Sequence, residues 1–60
     1  MKTGKVMVMW PAPALSKKLR EQAEEGAAKM GGVLGERLSV AYDSTADQFL
    51  HVFLMTKEED

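Results

Sequence analysis

His51 is the only side chain of this chain whose ordinary pKa lies near neutrality, so it is the first place to look for chemistry. It has no second His, no Cys and no carboxylate at fixed spacing beside it, so neither a metal set nor a nucleophile relay can be assembled around it. Its neighbours at alternate positions are Phe49 and Phe53, and a histidine packed in a core or an interface is the expected reading. Glu24 and Glu25 are adjacent on one helix turn and do not converge. Gly31, Gly32 and Gly35 close a helix, whereas a phosphate-binding glycine loop follows a strand and opens one. No catalytic residue, metal or cofactor is expected from this inventory, and the chain reads as a non-enzyme.

Two further constellations carry binding chemistry. Lys17, Lys18 and Arg20 fall in the first turn of a helix, where unpaired N–H groups and the helix dipole attract anions, and Trp10 nearby offers a base a stacking surface. Residues 1–20 hold five bases and no acid, for +5, and residues 21–60 hold three bases and nine acids, for −6, giving the net charge of −1. A small nucleic-acid-binding protein is therefore the alternative functional reading. Against it, Lys17 with Glu21, Arg20 with Glu24 and Glu25 with Lys29 are i, i+4 pairs that explain the same charges as a solvated helix face. The second constellation, Trp10-Pro11-Ala12-Pro13, reads as a rigid strand-to-helix connector, or as a polyproline segment for an aromatic groove.

The elements that must position these residues follow from periodicity. Lys5 to Trp10 is a run without breakers that Pro11 and Pro13 terminate, so it is a strand. Leu15, Leu19, Ala23, Ala27 and Met30 recur at helical spacing, with Ser16 as N-cap and Gly31-Gly32 as the stop. Gly26, beside Ala23 and Ala27, predicts close approach of that helix to a sheet. Val33 to Tyr42 and Gln48 to Thr56 flank the turn formers of residues 43–47 and read as a β-hairpin. In the first of these strands Leu34, Glu36, Leu38, Val40 and Tyr42 share one face and Arg37, Ser39 and Ala41 the other.

The expected fold is a single α+β domain over residues 1–60, of order β-α-β-β. Its three-stranded sheet has the order 2-3-1, one helix lies on one face, and an acidic tail at 57–60 frays. The folded ends bring Asp43 and Asp47 near Lys17, Lys18 and Arg20. The order resembles that of tautomerases and of dodecin-like flavin binders. Lys2 stands where a tautomerase exposes proline, and Tyr42 where a dodecin-like strand carries Trp, so no functional residue transfers.

Sixty residues bury only about 60% of the surface of their unfolded chain, and without Cys or a metal cage the usual remedy is self-association. The last strand is apolar on both faces: Leu50, Val52 and Leu54 on one, Phe49, Phe53 and Met55 with His51 on the other. One helix covers one face, so a second chain is expected on the other. The contact surface is expected to comprise Met7, Met9, Phe49, His51, Phe53 and Met55. The resulting reading is a small protein-binding or regulatory module, a homodimer or higher homo-oligomer, with strand addition to the first strand as a further way to hold a protein partner. No apolar run approaches the roughly 18 residues of a membrane span, and a cytoplasmic domain is expected.

Overall fold

A computed structural model, which describes residues 2–58, shows β1 (Lys2–Trp10), α1 (Lys17–Lys29), β2 (Val33–Asp43) and β3 (Gln48–Lys57). The strands form one sheet in the order β1-β3-β2, with both edge strands antiparallel to β3 and α1 across one face. The architecture is the expected α+β domain. Lys57 pairs with Lys2 at the end of the β1–β3 ladder, and Glu59 and Asp60, on which half of the expected frayed tail falls, lie outside the described residues.

The helix is bounded by its caps. Ser16 Oγ accepts from the Leu19 N–H at 3.1 Å, and the Ser16 carbonyl accepts from the Arg20 N–H at 3.0 Å. At the other end Gly31, with φ of +76°, donates to the Ala28 carbonyl at 3.0 Å, and Gly32 donates to the Ala27 carbonyl at 2.9 Å. This is the Schellman arrangement, which needs a residue free to adopt left-handed backbone. Leu15 precedes the N-cap, Met30 is the C-cap, and both are exposed, so the buried stripe is Leu19, Ala23 and Ala27.

Small helix residues let α1 sit close to the sheet. A Cβ at Gly26 would come within 3.3 Å of Val6 Cγ1, which is the close approach that a glycine mid-helix predicts. Phe53, Met55 and Val6 supply the bulk that the alanines lack, and Val8, Trp10 and Leu34 pack around them.

β2 departs from its expected face pattern. Its ladder with β3 shifts register between Leu34 and Arg37 and again between Arg37 and Ser39, so Arg37 stands opposite Phe53 on the helix side. Simple alternation would place Arg37 with Ser39 and Ala41. The added residues turn it over, because a one-residue slip moves every later side chain to the other face.

Candidate functional site

The pairing register settles which residues share a face. Residues directly opposite in an antiparallel ladder project to the same side. Val6 faces Phe53, Val8 faces His51 and Trp10 faces Phe49, so these six lie on the helix side. Met7 faces Val52, and Met9 faces Leu50, on the side that α1 leaves uncovered. The six expected contact residues are therefore divided. Met7 and Met9 are on the open face, whereas Phe49, His51, Phe53 and Met55 are on the helix face, with Phe53 and His51 at 0% exposure. Phe53 is core because the alanine stripe of α1 leaves room that only a large side chain fills.

The open face has an apolar centre made of Met7 and Met9 from β1 and Leu50, Val52 and Leu54 from β3. Met7 is 64% exposed, and Val33 at one corner of the face, opposite Thr56, is 70% exposed. Ser39 and Ala41 continue the rows onto β2 opposite Val52 and Leu50, and Gly35 lies close against Leu54. The polar members are Thr3, Thr56 and Lys5 toward one end, with Lys5 opposite Leu54; Gln48 and Asp43 at the other; and Ser39 on β2 opposite Val52. Sequence reasoning named Leu50, Val52 and Leu54 as one face of the last strand but assigned that face to the helix. The signal that decides it is the set of small residues on α1, which must meet the bulkier side of β3.

On the helix side the connector at residues 11–16 is tied across the sheet. The Ala12 carbonyl can only accept, so His51 Nε2 carries the hydrogen and donates to it at 2.9 Å. That leaves His51 Nδ1 as acceptor, and the Arg37 guanidinium lies 3.3 Å from it while also donating to the Pro13 carbonyl at 2.9 Å. Both ring nitrogens are thus used in fixing chain, and the Trp10-Pro11-Ala12-Pro13 segment serves as the strand-to-helix connector. Arg37 has no signal in the sequence beyond its place in a strand.

The basic cluster is organised less tightly. Lys17 and Lys18 are exposed, and Arg20 reaches Glu24 at 3.9 Å. Trp10 is half-buried against the core. Asp43 and Asp47 do not pair with these cations as the folded topology suggests. Asp43 Oδ1 accepts from the Thr45 and Ala46 N–H groups at 3.0 and 3.4 Å, and Asp47 accepts from the Tyr42 hydroxyl at 2.6 Å. Asp43 is thus taken up by the backbone of its own turn, and Asp47 by a side chain of the strand that enters the turn. The Asp47 carboxylate, with smaller contributions from burial and the charge of Asp43, holds the Tyr42 phenol above its ordinary value. The Tyr42 ring also leans on Phe49, with centroids 5.2 Å apart.

Among the described residues, no group of His, Cys, Asp and Glu is placed to hold a metal ion, and no helix is long and apolar enough to cross a membrane. No protein-family model, curated protein or solved structure matches the chain.

Proposed function

We propose that this chain is a small non-enzymatic protein-binding module that works as a homo-oligomer, with the open face of one copy packed on the open face of another. The observation that carries the reading is the unbroken apolar centre of that face, Met7, Met9, Leu50, Val52 and Leu54. Leaving such side chains in water forgoes about 1.5–3 kcal/mol each relative to full burial. A second copy also suits the distribution of polar groups, because a self-complementary patch needs its charges at the rim, where Lys5 and Asp43 are.

The experiment is sedimentation of the wild-type chain and of Val52→Lys across a wide concentration range, with circular dichroism as control. Val52 is at the centre of the face and outside the buried core. The wild type should associate, and the variant should remain folded while its dissociation constant rises at least about a hundredfold, the effect of desolvating an unpaired ammonium. Equal association of the two proteins, or a wild type that is monomeric at millimolar concentration, refutes the reading.

A further inference from the structure

The two edges of the sheet differ. β2 carries register shifts on either side of Arg37 in its ladder with β3, and such irregularity in an edge strand is one of the ways proteins protect an edge from pairing. β1 has no such device. All nine of its residues pair with β3 in unbroken register, and after Lys5 its outer edge carries no charge and no proline up to Trp10. Among the described residues, no strand receives the alternate backbone N–H and C=O groups that residues 3–10 of β1 direct away from β3. Beside this edge runs a groove of about 350 Å³, floored by residues 6–9 and walled by Gln22, Glu25, Gly26 and Lys29 of α1.

We infer that the β1 edge is a second interface, and that its occupant is β1 of another copy, paired antiparallel about a two-fold axis. The choice of occupant rests on charge. Glu25 and Lys29 stand one turn apart on the groove wall, 3.8 Å from each other and largely exposed. A two-fold axis reverses their order, so Glu25 of one copy is laid beside Lys29 of the partner subunit and the like charges are kept apart. Two β1 strands joined in this way make one six-stranded sheet from two three-stranded ones, with both helices on the same side. The open faces then form one continuous surface. This interface does not depend on the face-to-face packing proposed above, and the two are compatible in one assembly of dihedral symmetry.

The test is amide hydrogen exchange followed by NMR on the whole chain, from micromolar to millimolar concentration, on the wild type and on Val52→Lys. Pairing at the edge predicts that alternate β1 amides become protected as concentration rises, in both proteins, while the outer amides of β2 do not. Glu25→Lys and Lys29→Glu should each raise the dissociation constant by about fivefold, the scale of an exposed ion pair made twice across a two-fold axis, and the double exchange should restore it. Exchange along β1 that is independent of concentration overturns the inference, whether or not the open face associates. So does protection that appears only on adding an unrelated alternating Val-Thr peptide, which would make the edge a site for a foreign strand.

Discussion

Replacing Arg37 by Met retains the aliphatic stem of the side chain and removes its donors. The bond to the Pro13 carbonyl, 2.9 Å long and on the exposed side, is readily taken over by water and accounts for about 0.5–1 kcal/mol. The contact with His51 is different, because His51 is at 0% exposure and its Nδ1 has Arg37 as its donor at 3.3 Å. Without Arg37 that acceptor is buried and unmet, at a cost of about 1–3 kcal/mol. The two contributions together come to about 1.5–4 kcal/mol. A chain of sixty residues has a total stability of roughly 3–9 kcal/mol, so the loss is a large fraction of it and should lower Tm by about 6–30 °C. Urea unfolding at one fixed low protein concentration measures the effect, since association would otherwise shift the apparent stability. Adding His51→Leu to Arg37→Met removes the orphaned acceptor and should return at least about 1 kcal/mol. An Arg37→Met variant within about 0.5 kcal/mol of the wild type, or a strictly additive double variant, would refute the claim that this contact holds the connector to the sheet.

Four other perturbations follow from the same geometry. Phe53→Ala should cost about 3–5 kcal/mol, most of the stability of the chain, at every concentration, where Val52→Lys on the neighbouring residue should leave the fold intact; thermal melts followed by dichroism at two concentrations separate them. A Cβ at Gly32 would meet Met55 Cγ and Sδ at 2.7 Å and the Thr56 carbonyl at 2.9 Å, so Gly32→Ala should destabilise by about 1–3 kcal/mol in urea melts. At Gly26 the contact is a looser 3.3 Å to Val6, and the gain of about 1 kcal/mol in helix propensity should nearly cancel the crowding, leaving Gly26→Ala within about 0.5 kcal/mol of the wild type. Tyr42 is the single tyrosine and titrates above its ordinary value of 10, chiefly because its hydroxyl donates to Asp47; Asp47→Asn should lower that value in an ultraviolet titration of the phenolate. Since the folded value is the higher one, the bond contributes fully below the ordinary value and is lost as pH rises through the folded one, so the two proteins should differ in stability at neutral but not at strongly alkaline pH.

Where the chain stops and starts its elements is written locally. Pro11 and Pro13 end β1, Ser16 caps α1, Gly31 and Gly32 close it, and the polar residues 43–47 make the hairpin. Which face of β1 meets the helix is not local. Val6, Val8 and Trp10 alternate with Met7 and Met9 in a run that is apolar on both sides, and only the register with β3, a partner at the far end of the sequence, decides between them. The side of β3 that meets the helix is non-local for the same reason: both faces of β3 are apolar, and it is the bulk of Phe53 and Met55 that the alanines of α1 require. Arg37 was illegible because its position on the helix side comes from two irregularities that no residue type announces. Asp43 and Asp47 are near the helix start in topology, yet their side chains are too short to leave the turn.

β3, through which both other strands are held together, is also the last strand among the described residues. During synthesis at about 5–20 residues per second, β1 waits roughly 2–9 seconds and β2 roughly 1–3 seconds for β3 to be made, and the sheet cannot begin before β3 leaves the ribosome. Until then β1 is an extended apolar segment open on both edges, and the helix has only a partial surface to lie on. Folding of this domain is therefore a single late event, and the chain is most exposed to aggregation and to chaperones in the interval just before its third strand emerges.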